Sequence, residues 1–324
     1  MKNESNKAKD GKRPPWFSSL FSFRFFSDEM PRISPHAVID PHASIAEDVE
    51  IGPFCVIGPD VAIGSGCRLL NNVTMLGCTT IGKDNVFFPN SVIGAAPQDK
   101  KFKGSSTLLE IGSGNVFREA VTLHTGTEEG GGITRVGHNG LYMVNVHVGH
   151  DSQIGNDVVI ANNVMISGHV VIGDYVSMMG GAGVHHFTTI GRHAYLGAYS
   201  RIHHDVPPFC KVDGADQVRA INTLGLRRAK FGEDEIKALD QACRALFSQR
   251  KKPFELTLAE YQSAEQLNPH VRELIDFLVR RNTGKKGRYL EAQRSKEKLP
   301  PPVPPDAAGG NGQHPDGPET PRPE

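Results

Sequence analysis

The chain has 324 residues, and 36 Lys and Arg balance 36 Asp and Glu, so the formal net charge is zero and nothing electrostatic favours nucleic acid as the principal partner. Hydrophobic residues make up 38% and aromatic residues 7%, lean for a layered globular core, while 35 glycines indicate a chain that turns often. The five cysteines, Cys55, Cys67, Cys78, Cys210 and Cys243, form no CxxC pair, which argues against a zinc knuckle or a disulfide framework and suits a reducing compartment.

Residues 1–29 read as a disordered extension. Trp16 to Phe26 is apolar and follows several lysines, but Arg24 interrupts it and no small-residue cleavage site follows, so a secretory signal is not favoured. A membrane-surface segment is the alternative, and Met30 offers a second possible start. No apolar run is long enough to span a bilayer, so no transmembrane segment is expected.

From Ile33 the chain is written in sixes: ISPHAV, IDPHAS, IAEDVE, IGPFCV, IGPDVA, IGSGCR. Each block opens on an aliphatic residue. The register holds from Ile33 to Ile93, resumes at Ile111 through IGSGNV and FREAVT, and runs again from Val136 to Pro207, reading from Val148 as VGHDSQ, IGNDVV, IANNVM, ISGHVV, IGDYVS, MMGGAG, VHHFTT, IGRHAY, LGAYSR and IHHDVP. Period six fits neither an amphipathic helix nor an alternating strand, so a repeat architecture is indicated. Three blocks make a triangular coil of about 18 residues whose strands stack in parallel about 4.8 Å apart. The first and fifth positions face inward, and the small second position is expected to permit the bend at each corner. Cys55 and Cys67 fall at the fifth position, as buried fillers.

Two segments break the register. Residues 95–108, AAPQDKKFKGSSTL, lack inward aliphatics, and Lys100, Lys101 and Lys103 there are either a solvated charge run or phosphate ligands. Residues 125–134, TGTEEGGGIT, contain a glycine run expected to be flexible. Pro207 and Pro208 are expected to end the solenoid, because neither donates a ladder hydrogen bond. The β-helix is thus assigned to residues 30–210.

A helical unit over residues 211–283 follows, with Ile236, Leu239, Cys243, Leu246 and Phe247 on one helix face and Val271, Leu274, Ile275 and Leu278 on another. Asn268 and Pro269 read as an N-cap and first-turn pair, Thr257 and Glu260 as a capping box. Residues 284–324 turn basic and then rich in Pro and Gly, and are expected to form a disordered tail.

Residues 18 apart stack, so His150, Gly168, His186 and His204 form one column, and His169 lies one coil beyond Asp151. Packing does not require such a column. His147, His150 and Asp151 offer a base with an adjacent carboxylate, since imidazole is largely neutral near pH 7. Gly168 brings a bare backbone N–H about 5 Å from that base, by the coil spacing, where it can receive an oxyanion. The chemistry suggested is direct acyl transfer to a hydroxyl, with no covalent enzyme intermediate, because no serine or cysteine sits in a nucleophile motif. Stacked histidines also suit zinc, but His147 and His150 lack the context that makes a metal motif specific, and no metal is expected. His36, His42, His138 and His193 read as solvated surface residues.

These residues resemble a known family. The hexapeptide blocks, IGPFCVIGP at Ile51 to Pro59, APQDKKFKG, NVFREAVTLHTGT, NVHVGHDSQIGN at Asn145 to Asn156 and DVPPF at Asp205 to Phe209 are similar to the UDP-N-acetylglucosamine 3-O-acyltransferases, which open lipid A synthesis. The resemblance runs from Met30 to about Arg281. It implies a mainly β fold, a left-handed parallel β-helix followed by a small α-helical C-terminal domain. It also implies a cytoplasmic homotrimer with sites between subunits, no cofactor, and acyl carrier protein and UDP-N-acetylglucosamine as partners.

By the same resemblance His150 is the general base, Asp151 its partner and Gly168 the oxyanion donor. Gln98, Asp99 and Lys101 contact sugar and phosphate. His124, His147, His169, His185 and His186 line the cleft, Asn222 and Arg228 contact the nucleotide, and Gly197 and Ala198 lie at the acyl-length ruler. Arg227, Arg228 and Lys230 offer a basic surface to the acidic carrier protein. Departures are His186 for a common glutamine, Leu224 for an acidic residue, Ala229 for a second arginine and Ala198 for glycine, the last implying a shorter acyl pocket. An acetyl-CoA-dependent hexapeptide enzyme and a γ-carbonic-anhydrase-like zinc enzyme are the alternatives.

Overall fold

A computed structural model describes residues 32–248 and 252–294; the N-terminal extension, the possible start at Met30 and the Pro-rich segment lie outside them. Short parallel strands form three stacked sheets. The first has nine strands, from Val38–Ile39 to Arg201–Ile202, and the second eight, from Ser44–Ile45 to Thr189–Ile190. The third has ten, from Glu50–Ile51 to Gln217–Ile221. Consecutive strands step from sheet to sheet, so the chain winds round a triangular prism. In the regular coils the stack is offset by 18 residues, as in Val148 opposite Ile166 and Ile166 opposite Val184.

The first and fifth positions fill the prism. Val148, Ile154, Ile160, Ile166 and Ile172 alternate with Val158, Val164, Val170 and Val176, all at 5% exposure or less, and each fully buried aliphatic contributes about 1.5–3 kcal/mol. Phe87, Phe117 and Tyr142 stack in the same column at 4.9 and 4.8 Å between ring centroids. Cys55 and Cys67 are buried at inward positions.

The corner bend is carried elsewhere than the second position. Asp151, Asp157, Asn163, His169, Tyr175, Phe187, His193 and Tyr199 occupy the left-handed region with φ between 55° and 62°, and all are fourth residues of their blocks. The small second position has a different cause: a Cβ on Gly149 would lie 2.7 Å from the Gly168 nitrogen and 2.8 Å from the Ser167 carbonyl carbon. It is small because the next coil passes there, not because the chain bends.

The two insertions lengthen the coil at one edge. Ile81 pairs with Ile111, and Ile111 with Val136, so the offset rises from 18 to 30 and then to 25 residues before returning to 18. Pro207 and Pro208 do not end the ladder. Cys210–Asp213 adds one more parallel rung against Tyr195–Leu196, and the antiparallel strand Gln217–Ile221 then caps the third sheet. Both prolines precede this rung, so the ladder loses no donor.

The helical unit contains α1 (Thr223–Arg228), α2 (Glu233–Cys243), a π-helical turn at Arg244–Ser248, α3 (Phe254–Ser263), α4 (Pro269–Asn282) and α5 (Tyr289–Gln293). Its core, with Leu226, Leu239, Leu274 and Leu278 at 0% exposure, packs on Phe209 and Cys210 of the solenoid. Asn268 caps α4 by accepting from the His270 N–H at 2.9 Å, with Pro269 in the first turn. Thr257 caps nothing: α3 begins three residues earlier, after Pro253, and the Thr257 hydroxyl donates back to the Pro253 carbonyl at 3.2 Å.

Two further expectations change. His193 is buried rather than solvated, 4% exposed and stacked on Tyr175 at 4.7 Å beneath Phe231, because the helical unit docks on that corner through Arg192, which grips Glu273 at 2.7 and 2.6 Å. Residues 285–294, assigned to a tail, stay on the fold; the rest of that assignment, 295–324, lies outside the described residues. The buried Asp205 carboxylate accepts from the Tyr289 N–H at 2.8 Å and holds the segment through α5 on the solenoid. Composition cannot reveal a partner 84 residues away.

Candidate active site

The site lies at the edge where the first sheet turns toward the second. Every coil presents its third and fourth block positions there. His147 stands in the outward row of the first sheet between Thr122 and Met165, His150 and Asp151 take the next corner, and Gly168 and His169 follow one coil on. The His169 N–H donates to the His150 carbonyl at 2.9 Å, and the Phe187 N–H to that of Gly168 at 3.3 Å, so the stacking inferred from spacing is the stacking present.

Asp151 is the fixed point. Its side chain is 0% exposed, and a carboxylate so placed must be hydrogen-bonded. Oδ1 accepts the Thr127 N–H at 2.9 Å, and Oδ2 accepts the Thr127 hydroxyl at 2.6 Å and His150 Nδ1 at 2.8 Å. The carboxylate therefore sets the His150 tautomer: the proton sits on Nδ1, and Nε2 carries the lone pair. A Cβ on Gly168 would lie 2.6 Å from that Nε2, so the imidazole occupies the space a side chain would need.

The glycine-rich insertion covers this pair and is not a loose linker. Gly130 and Gly132 both donate to the Thr127 carbonyl, at 3.1 and 2.9 Å. A Cβ on Gly130 would lie 2.1 Å from Asp151 Oδ2 and 2.5 Å from His169 Cε1. Here glycine lets backbone lie directly on the carboxylate and exclude water.

The other histidines differ from His150. His169 Nε2 stands 3.7 Å from Asp151 Oδ2, too far for a hydrogen bond, and burial drives its pKa down to about 4. Burial, helped by His147 and His150, does the same to His124, again to about 4, and lowers His147 and His186. His147 Nδ1 bonds the Thr122 hydroxyl at 2.8 Å and its ring meets His124 edge-on at 4.9 Å. These rings are held neutral, suited to hydrogen bonding an uncharged hydroxyl; among the described histidines of this edge only His150 has a carboxylate at hydrogen-bond distance. His185 and His186 continue the edge, their rings 3.8 Å apart.

The donor atoms of His150, Asp151 and His169 lie within 4.8 Å of one another, the spacing of a metal ligand set. Asp151 is already engaged by Thr127 and His150, so the trio is wired as an oriented base and not as an open set of ligands.

Gln98, Asp99 and Lys101 lie on the first insertion, Gln98 and Lys101 exposed. This loop is tied to the second: Glu128 Oε1 accepts the N–H groups of Lys103 and Ser105, each at 3.1 Å, and Lys101 pairs with Glu129 at 3.8 Å. A hydrogen bond from its own backbone N–H, helped by those from Ser105 and Lys103, holds the Glu128 carboxyl down to about 2. Asn222, Arg228, Gly197 and Ala198 stand apart from the histidines. Asn222 caps α1 and donates to the His193 carbonyl at 3.0 Å, Arg228 is exposed in the last turn of α1, and Gly197 and Ala198 form a corner between the third and first sheets.

Sequence reasoning missed Thr127 and Thr134, whose hydroxyl accepts the Asp151 N–H at 2.8 Å. The register break before Thr127 was the available signal. Thr127→Val removes the 2.6 Å bond and keeps the backbone contact; kcat is expected to fall about tenfold with KM unchanged, the scale of one hydrogen bond to a charged group. A kcat within twofold of wild type would show that Thr127 does not position the base.

A parallel β-helix of hexapeptide repeats that presents a carboxylate-oriented imidazole beside a bare glycine backbone is of the class of the hexapeptide-repeat acyltransferases. The comparisons with known proteins narrow it. Residues 205–287 match the family model described as UDP N-acetylglucosamine O-acyltransferase, domain 2, and residues 33–104 match the GMPPB C-terminal domain. The chain is 44% identical over 256 residues to the acyl-[acyl-carrier-protein]–UDP-N-acetylglucosamine O-acyltransferase of Stenotrophomonas maltophilia, covering 78% of this chain and 96% of that one. Among solved structures it is similar to LpxA from Acinetobacter baumannii, with TM-score 0.72, 38% identity and coverage of 76% and 96%. It is also similar to the Arabidopsis UDP-N-acetylglucosamine acyltransferase, with TM-score 0.70, 31% identity and coverage of 79% and 98%. The chain belongs to the UDP-N-acetylglucosamine O-acyltransferase family.

Proposed function

We propose that this protein transfers an (R)-3-hydroxyacyl chain from acyl carrier protein to the 3-hydroxyl of UDP-N-acetylglucosamine, the opening step of lipid A synthesis, in the cytoplasm. The observation that carries the catalytic reading is the 2.8 Å bond from His150 Nδ1 to a fully buried carboxylate, which leaves Nε2 as the free base. His150 Nε2 takes the proton of the sugar hydroxyl as its oxygen attacks the thioester carbonyl. The oxyanion formed is met by the Gly168 N–H. Collapse expels the thiolate of the donor, which recovers the proton from His150.

Asp151 stabilises the transient imidazolium. His124, His147, His169, His185 and His186 line the acceptor cleft, and Gln98, Asp99 and Lys101 bind sugar and phosphate. Asn222 and Arg228 contact the nucleotide, Gly197 and Ala198 bound the acyl pocket, and Arg227, Arg228 and Lys230 receive the carrier protein. No helix among the described residues is long and apolar enough to cross a membrane.

A homotrimer is supported by the outward face of the first sheet, the one that bears His147. Val38 and Val56 point from it on adjacent rungs at 65% and 40% exposure, and Met165 at 57% further along the same row, apolar side chains suited to covering by a second copy.

Mass spectrometry of the purified chain incubated with UDP-N-acetylglucosamine and a series of 3-hydroxyacyl carrier proteins tests the reading, with light scattering on the same sample. An acylated UDP-sugar is expected, made fastest from the shorter donors because Ala198 narrows the pocket, by a particle of three chains. Absence of product from every donor would overturn the reaction. Equal rates through the longest donors would overturn the pocket, and a monomer the shared site.

A further inference from the structure

The segment Arg288–Arg294 lies beyond the matched acyltransferase domain, which ends at residue 287, yet it packs on the histidine edge. Arg288, its side chain 6% exposed, donates through Nη1 to the His203 carbonyl at 2.7 Å. Asp205 donates its N–H to the Gly287 carbonyl at 2.8 Å and accepts from Tyr289. Helix α5, so anchored, brings Glu291 and Arg294 to the corner next to His186. Glu291 lies 3.7 Å from both Arg288 and Arg294, so the three charges sum to one positive.

The Arg294 guanidinium lies 5.1 Å from the centre of the Phe187 ring. Phe187 stacks on His169 at 4.3 Å, and His169 meets His150 edge-on at 5.0 Å. Three ring contacts in series therefore lead from the guanidinium to the candidate base. The Arg294 side chain is 47% exposed, and its only ionic partner among the described residues stands beyond hydrogen-bond distance. A guanidinium set over an aromatic face, with its donors unspent, presents the fork that matches phosphate oxygens.

We infer that Arg294 is a specificity residue of this site, supplying a fixed cation that takes a phosphate oxyanion of a bound substrate. The inference rests on the proposed function, in which both substrates carry phosphate: the diphosphate of the UDP-sugar and the phosphodiester of the carrier protein's phosphopantetheine arm.

The test is direct binding to the full-length chain, by calorimetry, of UDP and, separately, of 4′-phosphopantetheine, for wild type, Arg294→Ala, Arg294→Lys and the remote surface control Arg219→Ala. Arg294→Ala is expected to weaken one probe about tenfold, the loss of one charge-assisted contact. Lys should restore part of that loss, and the control should bind as wild type. A loss confined to UDP assigns the contact to the acceptor, and a loss confined to phosphopantetheine assigns it to the donor. Dissociation constants unchanged within twofold for both probes, binding strengthened by the substitution, or no binding of either probe by wild type would each overturn the inference. Because binding needs no turnover, a wild type that binds a probe but makes no product would overturn the proposed reaction and leave Arg294 standing.

Discussion

His150→Ala is expected to lower kcat by about 10³, within the range of about 10²–10⁴ that a positioned general base contributes. The ring bonds Asp151 and borders a bare glycine, and it fills no part of the prism interior, so the loss should come with an unchanged melting temperature and circular dichroism. KM for the UDP-sugar should move little, because the imidazole acts on the proton lost in the transition state. Single-turnover rates with the favoured acyl carrier protein are the measurement. A variant within tenfold of wild type would remove His150 from the mechanism and direct attention to His147, whose Nδ1 bonds the Thr122 hydroxyl.

Gly168→Ala is expected to lower kcat by about 10², although it deletes nothing. The added methyl would stand 2.5 Å from His150 Cε1 and 2.6 Å from Nε2, and the ring cannot withdraw without breaking its 2.8 Å bond to Asp151. Gly168 is not in the left-handed region, so its effect is spatial and not conformational. The backbone N–H survives in the alanine variant, so the loss reports displacement of the base. The double variant should then be no slower than His150→Ala alone, since both act through one group. Multiplying losses would mean that the methyl also blocks substrate or the oxyanion donor.

Much of this site was legible from spacing. In a solenoid with a fixed coil length, sequence distance converts into neighbours, and His150, Gly168 and Asp151 with His169 could be paired before any coordinates. The conversion fails where the coil length changes. Thr127 reaches Asp151 across 24 residues because seven extra residues, the excess of the 25-residue offset over 18, fold inward as a cover. A glycine run that compositional reasoning takes for slack is there the condition for backbone to lie on a carboxylate. The burial of His193 and the docking of Tyr289 on Asp205 were hidden for the same reason: each depends on a partner placed by the fold and not by the period.

The sequence by itself determined the period, the inward columns, the face that bears the histidines and the helical unit after the prolines, because each follows from a repeat that recurs within a few residues of itself. Only the tertiary structure shows which imidazole of the edge has a buried carboxylate for a partner. Six imidazoles share the edge, and what separates His150 from the rest is one buried carboxylate whose other bonds come from a loop off the repeat. Burial, which holds His124 and His169 neutral, and the return of α5 to Phe187 and His169 likewise belong to packing between segments far apart in the chain, about which a local pattern carries no information.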